Sequence, residues 1–494
     1  MYKRIASLII VIFVALQLLA ACGSSNSGNN DNSANENPNS NTADISTFDD
    51  EVEEIEEIKD AVPDFDFEGY EFTILNRPQA DLHYMNLFME AEEENGEPIN
   101  DAGYRRSAEI SERFNITIRE VHNSNPTTAF RRAVLSGDGA YDLAMIGQGD
   151  AFGMASEDLI YNINELPHID LSKPWWDQNA QKSFSIANKI FFTPGAYELT
   201  NIDMTRILLF NKQMMQDYGI SENVYELVLN GEWTFEKFFN ISKMVSQDLN
   251  GDGVYNYLDV FGAGSTADHV VFRSFLNSGG EMSVRKDGND IPYFATETER
   301  FVNVVQAMVE NFHDGNFYFA PRNVPQAEDW CTDMFNENRL LFYIITFNRI
   351  PKFRAMDADF GILPHPKFDT NQTEYYCESG SGMVGVVPQG IENPERTGAI
   401  WEAYTAASHK YVVPAYKEVS LKTKFARDDE SAAMVDIIYD GRVYDLGTQY
   451  WGSRIMDPYI ALITRNSTDV MSVTDRIKTA AETAIANGIE MFME

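Results

Sequence analysis

Residues Ile116 to Ile146 read ITIREVHNSNPTTAFRRAVLSGDGAYDLAMI, two strand-like runs with a helical stretch between them. Ile116 to Val121 is rich in β-branched residues. Thr127 to Leu135 places its apolar residues at helical spacing, and Tyr141 to Ile146 returns to a short apolar run. On the amino-terminal side, Tyr70 to Leu75 predicts another strand, and Asn100 to Phe114 a helix with Asn100 as its N-cap. Strand, helix, strand, helix, strand in that order implies a parallel sheet with helices on its faces. Further along, Ile190 to Phe192 and Ile207 to Phe210 predict strands. Thr234 to Gln247 predicts an amphipathic helix with Phe235, Phe238, Ile241 and Val245 on one side. Helices near Glu297 to Phe312 and Gln326 to Asn336 follow, then strands at Arg339 to Thr346, Phe360 to Leu363 and Met383 to Val387, and mostly helix after Pro394. The strand–helix series restarts after about residue 200, so the fold class is α/β with two sheets rather than one.

The chain begins with a different kind of signal. Lys3 and Arg4 precede a nearly uninterrupted apolar run, Ile5 to Ala21, which closes on Leu19-Ala20-Ala21-Cys22. A basic head, a short apolar core and small residues before a cut mark a secretory signal. A membrane-spanning helix wants about 18 or more apolar residues; this run is shorter and carries Gln17. Ending on L-A-A-C, it resembles the lipobox of bacterial lipoproteins. That resemblance implies a signal peptide over residues 1–21, a lipid on Cys22, and an extracytoplasmic body anchored to the outer face of the cell membrane. Residues 22–63, rich in Ser, Asn and acid, have too little to bury and predict a flexible spacer.

Removing Lys3 and Arg4 leaves 36 Lys and Arg against 76 Asp and Glu, a net charge of −40. Such a chain repels nucleic-acid phosphates and anionic lipid surfaces, which excludes both as expected partners beyond the lipid anchor. Besides Cys22 only Cys331 and Cys377 remain, too few for a disulfide framework, and two separate thiols are expected.

Asp248 to Asp259 reads DLNGDGVYNYLD. Oxygen donors stand at loop positions 1, 3, 5 and 9 (Asp248, Asn250, Asp252, Asn256), with the Val254 carbonyl at 7 and Asp259 at 12. Gly253 takes position 6, where the backbone must turn sharply. Calcium wants six to eight hard oxygen ligands, and this spacing wraps them around one ion, so a structural calcium is expected. Asp259 is a methylene shorter than the usual closing glutamate, and no second helix is evident, so this is a calcium-type loop rather than a full EF-hand. Gly147-Gln148-Gly149-Asp150-Ala151-Phe152-Gly153 is similar to a dinucleotide fingerprint. Its third glycine is one residue late and it follows the third strand rather than the first, so it predicts a strand-end loop.

Catalytic constellations are sparse. The seven histidines are scattered without an H-E-x-x-H helix, and there is neither a G-x-S-x-G elbow nor a Walker-type phosphate loop. Acid pairs for glycoside hydrolysis stay open at this point, because Asp and Glu are everywhere and their separation is unreadable. Aromatic side chains are abundant, with six Trp, 23 Tyr and 32 Phe, and those beside strand ends are candidates to stack on a sugar ring.

Several segments together resemble the carbohydrate-type extracellular solute-binding lipoproteins of bacterial ABC importers. They are INDAGYRRSAEISERFN (Ile99 to Asn115), YDLAMIG (Tyr141 to Gly147), DLSKPWWD (Asp170 to Asp177) and ILLFNKQMMQDYGI (Ile207 to Ile220). LNGEWTFEKF with the DLNGDG loop, and FGILPHPKFD (Phe360 to Asp369), complete the set. The resemblance implies a two-lobed periplasmic-binding-protein-like fold, each lobe with a parallel-rich sheet, joined by a hinge. It implies that a sugar or oligosaccharide is captured between the lobes and delivered by a monomer to a membrane permease. On this reading residues 64–200 and 355–408 form lobe 1, and residues 201–354 and 409–494 form lobe 2. Crossings are expected near Glu198 to Asp203, Asn348 to Ala358 and His409 to Val413. Ligands of open α/β sheets lie at strand ends, which selects Arg77, Gln148 and Asp150 on lobe 1 and Tyr197 and Glu198 at the first crossing. On lobe 2 the candidates are His269, Phe347, Asn348, Tyr450 and Trp451, with Phe347 and Trp451 as stacking platforms. An exported glycoside hydrolase or a calcium-dependent adhesion or scaffold module is the alternative.

Overall fold

The computed structural model describes residues 59–493 apart from 83–85, 314, 320–326, 381 and 418–428. The signal sequence, Cys22 and nearly all of the spacer lie outside the described residues.

The first sheet grows from the crossover units. Strand β1 (Tyr70–Asn76) pairs in parallel with β2 (Ile116–His122) along seven residue pairs, and with β3 (Leu143–Gly147) on its other side. A strand from much later in the chain, β12 (Met383–Val386), closes the sheet antiparallel to β3, giving the order β12-β3-β1-β2. Helix α1 (Pro98–Phe114) links β1 to β2; its proline sits in the first turn, where an absent N–H costs nothing. It therefore starts ahead of Asn100, whose side chain donates to the Glu93 carbonyl instead of capping. Helix α2 (Pro126–Ser136) is capped by the Asn125 side chain on the Thr128 amide and stopped by Gly137 at φ 65°. Helix α3 (Gln148–Ser156) follows β3 without an intervening residue, so the glycine-rich stretch is the first turn of a helix rather than a loop.

The second sheet comprises β4 (Arg206–Asn211), β5 (Phe261–Ser265), β8 (Tyr318–Phe319), β9 (Leu340–Thr346) and β10 (Phe360–Leu363), in the order β10-β4-β9-β5-β8. Strands β4 and β9 are buried along their whole length, which is why they read as unbroken apolar runs. Strand β5 is glycine-rich for a steric reason: a Cβ on Gly262 would stand 1.8 Å from the Ser242 carbonyl of the helix packed on it. Short pairs β6 (Val284–Lys286) with β7 (Pro292–Phe294), and β11 (Cys377–Glu378) with β13 (Arg442–Val443), lie outside both sheets. Cys331 and Cys377 are buried and not joined in a disulfide.

Two expectations need correction. Ile190 to Phe192 joins no sheet, because the Ile190 amide donates to the Asn164 side chain and its carbonyl accepts from Ile163. The return to the first sheet is not at Asn348 to Ala358. Phe360–Leu363 pairs with β4 inside the second sheet, so the chain recrosses only after β11, near residue 380, and the 355–380 segment belongs to lobe 2. A further passage runs from helix Pro394–Ala415, packed on α1, to helix Asp429–Asp440, packed on β10.

Candidate functional site

The carboxyl ends of β1 and β3 lead to Arg77 and Gln148, and those of β5 and β9 to Thr266 and Phe347. The antiparallel β4 brings its first residue, Arg206, beside Thr346 at the same edge. Between the two sets run the crossing segments, residues 197–206 and 377–383. They lie side by side, with a bridge between Thr205 and Ser379 whose hydroxyls both donate to the Asn201 carbonyl, at 2.9 and 2.7 Å. Asn201 donates to the Met383 carbonyl (2.7 Å) and to Glu198 (2.8 Å), and a Cβ on Gly382 would meet its side chain at 2.4 Å. Burial pushes the Glu198 carboxyl up to about 7, against hydrogen bonds from Thr200 and Asn201.

Gln148 opens α3 at this floor. Its amide nitrogen donates to the Asn201 side chain, while its Oε1 is buried without a partner. Across from it, helix Asp268–Ser278 carries Arg273, whose Nη2 lies 2.6 Å from Glu378; Arg206 holds the same carboxylate at 2.9 Å. The three side chains are 13, 9 and 0 % exposed, so the pairing is in a low-dielectric setting. Burial alone would raise the Glu378 carboxyl, but Arg273 and Arg206 hold it down at about 2. His365, buried nearby, is pushed down to about 3 by that burial and by Arg206. Asp445, next to this cluster, is pushed up by burial to about 6. The Gln449 carbonyl lies 3.5 Å from the Cβ position of Gly149, so the first turn of α3 meets the second lobe there. Arg273 Nε and Gln449 Nε2, like Gln148 Oε1, are buried without hydrogen-bond partners. Unpartnered buried donors and acceptors on segments of both lobes are groups that a polar ligand could satisfy, because buried polar groups otherwise find partners.

The residues selected from sequence divide unevenly. Gln148 stands at the floor. Arg77 is half-buried at the end of β1 with an unpartnered Nε, and Asp150 is exposed and accepts from Thr127 at 2.8 Å. His269 is exposed, its ring held below the usual imidazole range by partial burial and by Arg206 and Arg273. Asn348 is half-buried, bonded to Thr346 and near the Met204 sulfur at 3.7 Å. Tyr197 lies in the first lobe's core against Trp176 and Trp401, its hydroxyl bonded to Thr193 and Gly385. Glu198 is occupied by the crossing itself. Phe347 is fully buried in the second lobe's core and offers no face for stacking. Trp451 is 5 % exposed, packed on Gly488 and Tyr450, and Tyr450 is stacked at 4.9 Å on Phe152 of α3. The aromatic pair therefore fastens α3 to the second lobe. Sequence reasoning missed Asn201, Arg273, Glu378 and Gln449. Glu378 alone carried a sign, as an acid inside the otherwise small and apolar run 377–387.

In the loop 248–259, Asp248 accepts from Gly251 and Gly253, Asp252 from Val254, and Asp259 from Leu249 and Asn256, at 2.7–3.0 Å. Gly253 has φ 79°, and β5 rather than a second helix follows. Among the described residues no three His, Cys, Asp or Glu side chains converge as a metal cage.

A family model described as bacterial extracellular solute-binding protein matches residues 110–416. No curated protein sequence matches the chain. Among solved structures, a cyclo/maltodextrin-binding protein complexed with maltotetraose is 11 % identical with a TM-score of 0.54, covering 86 % of this chain and 97 % of that one. UgpB from Mycobacterium tuberculosis in complex with glycerophosphocholine is 11 % identical, TM-score 0.54, covering 85 and 99 %. An ABC transporter solute-binding protein from Thermotoga lettingae bound with alpha-D-tagatose is 14 % identical, TM-score 0.51, covering 84 and 100 %. At these identities the likeness is one of fold.

Proposed function

The chain belongs to the bacterial extracellular solute-binding proteins, an extracytoplasmic family, and from that premise we propose that it captures a sugar or oligosaccharide between its lobes and hands it to an ABC-type permease. The observation that carries this reading is the open polar set at the meeting of the lobes: Gln148 Oε1, Arg273 Nε and Gln449 Nε2. Sugar hydroxyls both donate and accept, so a sugar suits a mixture of unpartnered donors and acceptors. Contacts made to both lobes at once favour the closed form, since a ligand shifts an equilibrium only by its differential affinity for the two states. The proteins of like fold bound to maltotetraose and tagatose support the ligand class. The protein acts as a binder and not an enzyme, as a monomer, so its ligand leaves unchanged. Scattering and calorimetry test this together: a sugar found by thermal-shift screening should bind one protomer, reduce the radius, and be recovered intact. Cleavage products, or binding with no change in radius, would sink the reading.

The lipid on Cys22 is part of the same proposal, supported by the L-A-A-C sequence and by the family's location. Calcium in the 248–259 loop is proposed as a structural ion. The spacing of its oxygen donors and the positive φ of Gly253 at the sharp turn support it, with the shorter Asp259 buried at the closing position. The donor set fits a hard cation held by oxygen. Binding to the native state alone should raise the melting temperature with calcium concentration, and Asp252→Ala should abolish that rise. A calcium-insensitive melt of metal-free parent protein would count against it.

A further inference from the structure

At the crossing lies a cavity of about 310 Å³, lined by segments of both lobes. One wall is the first lobe's 174–179 and 194–196; another is the crossing itself, through Glu198, Asn201 and Ile202. The third is the end of helix Pro394–Ala415 with Lys417, and the fourth is the second lobe's 439–442. Its volume is at the lower end of ordinary ligand pockets, about 300–1,000 Å³.

The chemistry of the walls restricts what fits. Trp175 and Trp176 turn their indole nitrogens away, both onto Glu402 at 3.0 and 2.9 Å, so they offer carbon surface alongside Pro174 and Pro194. Most of the lining charges have partners already, with Asp440 adding a carboxylate to the wall. Arg442 Nη2 is 2.7 Å from Asp177, Lys417 is 3.6 Å from Asp436, and Glu198 is occupied by Thr200 and Asn201. Arg442 and Lys417 also lie against the Tyr439 ring, at 4.3 and 4.2 Å, which fixes both cations. What is left over is donors: Arg442 Nε and Nη1 are buried without partners. Donors that want oxygen, beside carbon surface and largely paired charges, suit a hydroxyl-bearing ligand.

We propose that this cavity is a second binding site, for a small polyol or a single sugar ring, coupled to the cleft through the Gln148–Asn201–Glu198 contacts. Gln148 reaches Asn201 from the cleft side and Asn201 lines the cavity, so one side chain separates the two sites. Occupancy at the crossing fixes the spacing of segments from both lobes and so biases closure, and by linkage a cleft ligand changes the cavity's affinity by the same factor.

The proposal does not depend on what the cleft binds. The test uses the mature chain with glycerol, myo-inositol and D-glucose as probes, read by saturation-transfer NMR and by soaking crystals. Binding is compared in the parent, in two variants that fill the cavity (Ala196→Met and Val413→Phe), and in Gln148→Ala. One probe should appear in density against Arg442 and lose about tenfold or more in affinity in both filling variants, while surviving in Gln148→Ala. Water alone in the cavity, or probe binding unchanged by both filled variants at parental melting temperature, overturns the site. A cleft that binds nothing, with the cavity still occupied, leaves the cavity site standing and removes both its coupling to the cleft and the sugar-capture reading.

Discussion

Replacing Glu378 with Gln removes the carboxylate held between Arg206 and Arg273. That carboxyl titrates at about 2 instead of the usual 4.5, two to three pH units lower. At about 1.4 kcal/mol per unit, its ionised form stabilises the native state by roughly 3 kcal/mol. Stranding two buried guanidinium groups belongs to the same order, since breaking a buried pair from one side costs about 3–5 kcal/mol. The pH dependence has a definite sign. The folded value lies below the unfolded one, so the contribution is complete above about pH 5 and is lost as pH falls toward about 2. Urea unfolding followed by tryptophan fluorescence should place Glu378→Gln about 3–5 kcal/mol below the parent at about pH 7. Near pH 3.5 the gap should narrow by about 1–1.5 kcal/mol, because the parent has begun to lose what the variant never had. A gap under about 1 kcal/mol at neutral pH, or one that is the same at both pH values, would refute the argument that this cluster is charged and buried.

Phe347→Ala and Trp451→Ala should each destabilise the fold by about 3–5 kcal/mol, since both rings are buried; full stability with a selective loss of ligand would show them to be cleft residues after all. Gln148→Ala should cost about 1–3 kcal/mol of stability, because it strands the buried Asn201 oxygen, and should weaken sugar binding by about tenfold; unchanged affinity by calorimetry would move the cleft elsewhere. Cys22→Ser should release the protein from the membrane fraction or leave its signal uncut, and unchanged fractionation without fatty-acid labelling would defeat the anchor.

The two-sheet α/β plan was legible because strands such as Leu340–Thr346 are buried on both faces and so read as continuous apolar runs. The recrossing was not. Phe360–Leu363 looks the same in sequence whether it joins the first sheet or the second, because pairing partners are chosen by tertiary contact. The position of Gln148 at the end of β3 was legible because geometry there follows from topology. Aromatic residues misled for a general reason: Phe347 and Trp451 sit at strand and helix ends, as a stacking residue would, yet core packing accepts the same side chains there. Arg206, Arg273 and Glu378 come from three distant stretches, and no local pattern joins them before the chain folds.

The doubled crossing has a consequence for how the molecule fails. Two passages are stitched together by the Thr205–Ser379 bridge, and a third runs between helices Pro394–Ala415 and Asp429–Asp440. A protease nick in any one passage leaves the halves tied by the other two. Severed once, the chain would run as two pieces on a denaturing gel and as one particle on a sizing column. The same arrangement makes each passage a natural place to divide the gene, so that two separately made fragments meet and rebuild the binder.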